Sequence, residues 1–170
     1  MKNEIIIKPL IGIEWVQGNI NLEEQQEELN LPQVQAEKIR QSLYLGNGDI
    51  RVDFDEKDAV EFIEIRGGCD SSFCPIFQKI PLFELEAAEV VRLLKENYAV
   101  EERENGHSYV ISELELALWR ERTEADVEGF IADMRADGIN VEGNAEVEAE
   151  WKMAKYFEAV AIGKKGYYTK

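Results

Sequence analysis

A chain of 170 residues with 45% hydrophobic and 9% aromatic side chains has enough apolar surface for one packed core, which excludes a disordered polymer, whose mark is high charge with few aromatics. Its 35 acidic against 19 basic side chains leave a formal net charge of -16, and this excludes nucleic acid as a direct partner, because phosphate backbones are held by clustered Lys and Arg. The same field attracts and steers a basic protein, an effect that weakens as salt screens it.

The opening residues, Met1 to Pro9, contain a three-residue apolar run, Ile5-Ile6-Ile7, before Lys8 and Pro9. That is far short of a signal h-region or a membrane span, so a cytoplasmic location without membrane contact is expected. Cys69 and Cys74 are too few for a disulfide framework and are expected as two thiols in a loop. No linker rich in Ser, Pro or Gly divides the chain, so a single domain over residues 1–170 is expected.

The segment Asn21 to Leu29 opens with an N-capping residue and carries acids in its first turn, which predicts a short helix ended before Pro32. Period-two alternation then begins at Ser42-Leu43-Tyr44-Leu45, turns at Gly46-Asn47-Gly48-Asp49 and resumes at Ile50-Arg51-Val52-Asp53-Phe54, a hairpin signal. A second turn over 55–58 leads into a strand over 59–65, and Gly67 to Ser72 reads as a loop. Residues 76–83 read as a short extended piece. From Glu86 to Asn97, Ala87, Val90, Val91 and Leu94 share one helical face, with Glu89, Arg92 and Glu96 opposite.

Further strands are expected at Tyr98-Ala99-Val100, around Ser108-Tyr109-Val110-Ile111 and over 113–119, where Leu114, Leu116 and Leu118 alternate. A helix begins after Thr123, with Asp126 placed for a relative of the capping box and Val127, Phe130, Ile131 and Met134 as its apolar stripe; Gly138 fits its end. A last helix over 146–156, with Val147 and Trp151 inward, precedes a strand over 157–162 and a turn over 163–166. The whole reads as an α+β fold: an antiparallel sheet of hairpins and meanders, with helices packed on one face. The order of elements hints at two degenerate helix-plus-strands units, about 20–66 and 84–120, followed by a C-terminal helical and strand segment.

Catalytic chemistry finds little support. His107 is the one histidine and, beside the Asn105-Gly106 turn, reads as a surface residue. Cys69, Cys74 and His107 lack the spacing of a zinc site. There is no phosphate loop or nucleophile elbow, and no spacing singles out an acid-base carboxylate pair. No enzyme, catalytic residue, metal or cofactor is expected. Trp15, Trp119 and Trp151 are of the type that anchors interfaces, although Trp119 and Trp151 sit in apolar patterns and read as core.

Acidity is uneven. Residues 101–150 hold 15 acids and four basic side chains, whereas 151–170 hold one acid, Glu158, and five lysines. That tail is expected to pack against the acidic part. The acids Glu121, Asp126, Glu128, Asp133, Glu142, Glu146 and Glu148, on and after the helix that follows Thr123, are the candidate contacts to a basic partner.

Three stretches carry a family resemblance: Tyr156-Phe157-Glu158-Ala159-Val160-Ala161-Ile162-Gly163-Lys164-Lys165-Gly166-Tyr167-Tyr168, Ile111-Ser112-Glu113-Leu114-Glu115-Leu116-Ala117-Leu118-Trp119-Arg120 and Val60-Glu61-Phe62-Ile63-Glu64-Ile65. They resemble bacterial toxin immunity proteins, in particular the cognate inhibitors of contact-dependent growth inhibition toxins and of related wall-associated toxins. The resemblance implies a stoichiometric cytosolic inhibitor of a toxin C-terminal domain, with a basic, nuclease-type toxin (RNase or DNase) suiting the charge. The alternative reading is an acidic regulatory or adaptor protein with several weaker partners.

Overall fold

The computed structural model describes residues 1–16, 18–29 and 41–168, together with the backbone of 37–39. The chain opens with a meander of β1 (Asn3–Lys8), β2 (Gly12–Trp15) and β3 (Gly18–Asn21). A second meander follows, β4 (Glu37–Ile39), β5 (Ser42–Leu45), β6 (Ile50–Phe54) and β7 (Val60–Arg66). The hairpin of β8 (Phe73–Phe77) and β9 (Ile80–Pro81) leads into α1 (Ala87–Lys95). Then come β10 (Glu101–Arg103), β11 (Ser108–Ile111) and β12 (Leu116–Trp119), the helices α2 (Glu124–Ala136) and α3 (Ala145–Lys155), and β13 (Ala159–Gly163).

The fold is α+β, with two sheets among the described residues. One has the order β3-β2-β1-β8-β9, the other β10-β11-β12-β13-β7-β6-β5-β4. Pairing is antiparallel except between β1 and β8, which run parallel. One buried apolar cluster includes Ile5, Ile7, Ile13 and Ile20 from the first sheet, Val52, Ile63, Leu118 and Val160 from the second, and Ala87, Val90, Val91 and Leu94 from α1. The amphipathic face read for α1 is therefore its buried face, while Arg92 pairs outside with Glu89 and Glu96 at 2.8 Å.

The first sheet was not legible from the local pattern. Ile5-Ile6-Ile7 has no alternation to read, yet pairing with β2 and β8 buries Ile5 and Ile7 and leaves Ile6 exposed. The helix expected over 21–29 is replaced by a single 3-10 turn, Gln26–Glu28. The backbone of this segment is claimed by the sheet: Glu23 N–H donates to Val60 O at 2.7 Å, and Val60 N–H donates to Glu24 O at 2.9 Å. Pro32, expected to stop that helix, lies outside the described residues, as does Lys170 of the basic tail.

The turn after β5 and the turn after β10 have matching backbones. Gly46, Asn47 and Gly48 have φ of 59, 60 and 95°, and Glu104, Asn105 and Gly106 have 52, 54 and 87°. Each turn is followed by the same long-range bond, Arg66 N–H to Asp49 O at 2.7 Å and Arg120 N–H to His107 O at 2.9 Å. The Asn-Gly pairs tolerate the positive φ that such turns require. The expected strand over 113–119 begins later, because residues 112–114 form a 3-10 turn and Glu115 takes φ 48°. Leu116 and Leu118 keep their inward alternation.

Candidate functional site

β12 and β13 are hydrogen-bonded neighbours, yet the α2–α3 hairpin is inserted between them in the chain. Thr123 caps α2 through a reciprocal capping box with Asp126, which satisfies two backbone donors that a helix start leaves open. Asn144 caps α3, accepting from the amides of Glu146 at 2.9 Å and Val147 at 3.4 Å. α2 ends on Gly138 at φ 76°, with Ile139 N–H donating to Met134 O and Gly138 N–H to Arg135 O. That is the left-handed stop glycine supplies cheaply.

The hairpin gathers the acids singled out in the sequence. Glu121 precedes α2, Glu128 and Asp133 lie on it, Glu142 lies in the connection, and Glu146 and Glu148 open α3; all six are exposed. Asp126 is different. Its carboxylate accepts from the Thr123 amide and hydroxyl, each at 2.7 Å, and stands 3.1 Å from His107 Nε2. It is half-buried rather than turned to water, because closing the capping box points it back at the helix start. Its pKa lies below the ordinary range, chiefly because of the Thr123 hydroxyl. Glu146 and Glu148 have an additional local role, since a helix N-terminus favours negative charge.

His107 is likewise not a free surface residue: its Nδ1 lies 3.2 Å from Arg120 O. Cys74 is not in a loop but on β8, where burial pushes its thiol up to about 11. Among the described residues no group of three or more His, Cys, Asp or Glu could hold a metal ion, so Cys69, Cys74 and His107 are not assembled.

The C-terminal segment packs against the acidic part, with β13 paired to β12 and the turn after it held by Glu115, but Lys164 does not pair with the acids of the α2–α3 hairpin. Lys164 pairs instead with Asp55 at 2.7 Å and Glu61 at 3.6 Å. The buried carboxylate of Glu115 accepts from the amides of Gly166 and Tyr168, each at 2.7 Å. Tyr167 stacks on Phe62 at a centroid distance of 5.0 Å. The tail thus lies on the outer face of the eight-stranded sheet, and burial raises the Tyr168 pKa well above its ordinary value.

Beyond the tail that face is open. Pairing register lines up Trp119, Ala159 and Arg66 in one row and Ala117, Ala161 and Glu64 in the next, so residues with small side chains occupy the middle of the sheet. Two cavities share Glu64, Trp119 and Ala159; the larger, of about 630 Å³, is also lined by Arg66, Gly67 and Glu158. Trp119 is 40% exposed, against its reading as core. The alternation that carries Leu116 and Leu118 inward necessarily turns the odd-numbered Trp119 outward, so the sequence held the signal. Trp151 is half-buried on α3, and Trp15 packs partly buried against the core.

Glu158 stands at the end of this trough, its amide donating to Trp119 O at 2.8 Å. Burial, and then the charge of Glu121, raise its pKa. Arg66 is already paired with Glu64. No family model, curated protein or solved structure matches this chain.

Proposed function

We propose that this chain is an immunity protein that binds and neutralises the toxin C-terminal domain of a contact-dependent growth inhibition system, acting stoichiometrically in the cytoplasm. The observation that carries the reading is the set of exposed acids Glu121, Glu128, Asp133, Glu142, Glu146 and Glu148 on and beside one helical hairpin. A concentrated anionic surface of this kind speeds encounter with a basic domain, such as a nuclease that must itself bind phosphate, while buried contacts set residence time. An inhibitor needs no reaction centre of its own. A span of the membrane is not required either, and no helix among the described residues is long and apolar enough to cross one.

The test is titration of the protein against the toxin domain encoded beside it, at low and high salt. A tight one-to-one complex that weakens as salt rises is the expected result. Replacing the six exposed acids by Lys slows association by about tenfold or more at low salt. Absence of a complex overturns the inhibitor reading, and unchanged association kinetics in the charge-reversed variant remove the hairpin from it.

A further inference from the structure

The trough on the outer sheet face combines features that the acidic hairpin lacks. Its wall is an exposed indole, its centre is formed by residues with small side chains, and its end is a half-buried carboxylate. Here Ala159 lies between Trp119 and Arg66, and Ala161 between Ala117 and Glu64, leaving a depression rather than a flat surface. Trp119 retains 40% of its surface in water, although burying an aromatic ring of that size is strongly favourable.

The charges in the trough are not balanced. Arg66 is neutralised by Glu64 within the same face. Glu158 lines the same cavity as Trp119 and is half-buried at its end. An anion half-removed from water is stabilised by an incoming cation. A planar guanidinium suits the place better than an ammonium, because it is more weakly hydrated, forks onto carboxylate oxygens and stacks on an indole.

We infer that the outer face of the eight-stranded sheet docks a basic protein partner by receiving one of its arginine side chains between the Trp119 indole and the Glu158 carboxylate. The inference rests on the inhibitor reading for the identity of the partner, but the arginine seat itself does not depend on it. In that complex the α2–α3 hairpin steers and the trough holds. The tail clasp on Phe62 and Glu115 bounds the other end of the same face.

N-acetyl-arginine amide serves as the probe, titrated into ¹⁵N-labelled full-length protein, with N-acetyl-glutamine amide as the uncharged control. The expected result is a saturable shift of the Trp119 indole N–H and of the amides of Glu158 and Ala159, absent with the glutamine compound and lost in Glu158→Gln. No saturable shift at Trp119, or equal shifts in Glu158→Gln, overturns the seat. With the neighbouring toxin domain, Trp119→Ala and Glu158→Gln each weaken the complex by about tenfold or more. Trp119→Phe, which keeps an aromatic face, loses less. A complex indifferent to Trp119→Ala, whose unchanged melting temperature establishes folding, overturns the docking face and leaves the inhibitor reading standing. Arginine binding without any toxin complex does the reverse.

Discussion

In the sandwich, buried residues of both sheets and of α1 form one continuous apolar cluster, whereas the α2–α3 hairpin buries Val127, Met134, Val147 and Ala154 outside that cluster and is tied down by polar anchors. Arg120 is the principal anchor. At 6% exposure, it donates from Nε to Gly106 O at 2.9 Å and from Nη1 to Ala154 O at 2.6 Å, and it pairs with Glu124 at 3.2 Å. It therefore links the β10–β11 turn, the start of α2 and the end of α3. Within the hairpin Arg122 and Glu150 form an ion pair at 2.6 Å that lacks hydrogen-bond geometry, and Lys152 with Asp70 at 2.7 Å adds an outer tie. Apolar burial is additive and indifferent to direction, while such hydrogen bonds fix an orientation. An acidic hairpin outside the main cluster needs the second kind of attachment.

The sharpest separation of the two regions comes from the core. Leu118, 1% exposed on β12, loses its packing in Leu118→Ala at a cost of about 3–4 kcal/mol. The loss appears as a lower urea midpoint with the hairpin and the sheets unfolding together. A variant in which the hairpin unfolds separately, with the sandwich transition unmoved, breaks the comparison, because β12 then does not carry the core.

Arg120→Met keeps most of the apolar stem but leaves the Gly106 and Ala154 carbonyls without their donor, at a cost of about 2–3 kcal/mol. Hydrogen exchange locates the effect: α3 and the β10–β11 turn lose protection while β6 and β7 retain theirs. Equal loss throughout shows instead that Arg120 belongs to the global core. Thr123→Ala comes next. It removes the hydroxyl that accepts from Asp126 N–H at 3.3 Å and donates to its carboxylate, and costs about 1 kcal/mol. Fraying confined to the first turn of α2 checks it.

The same division explains what the sequence disclosed. The β5–β6 hairpin, α1 and the cap of α2 are local objects, written in Asn47-Gly48, in the spacing of Val90, Val91 and Leu94, and in Thr123 with Asp126. The first sheet depends on β1 meeting β8 across more than 60 residues of chain, and no local period encodes that pairing. Likewise, the six exposed acids of the hairpin were legible as composition on helices. The trough was not, since Trp119, Ala159 and Arg66 become neighbours only through the β12–β13–β7 register. Only the outward turn of Trp119 was available, one residue beyond Leu118 in an alternating strand.

The smallest effect is a change of slope with pH, and it distinguishes the two clasps that carboxylates make. Asp55 holds the basic tail on the sandwich: its pKa is lowered from 3.8 to about 2, first by the Lys164 hydrogen bond and then by the amides of Lys57 and Ala59. Asp126 is lowered by the Thr123 cap on the hairpin. A carboxylate whose folded pKa is depressed contributes stability above its unfolded value and loses that contribution as pH falls toward the folded one. For Asp55 the window runs from about pH 4 down to about pH 2. The urea midpoint of the native protein therefore falls across this window, and Asp55→Asn, less stable at neutral pH, follows a flatter course. In that variant the Tyr167 ring resonances lose their contact shifts from Phe62 as the tail loosens, while the Thr123 amide is unmoved. In Asp126→Asn the pattern inverts. If both variants disturb both places, the tail and the hairpin are one cooperative unit and the division between sandwich and hairpin fails.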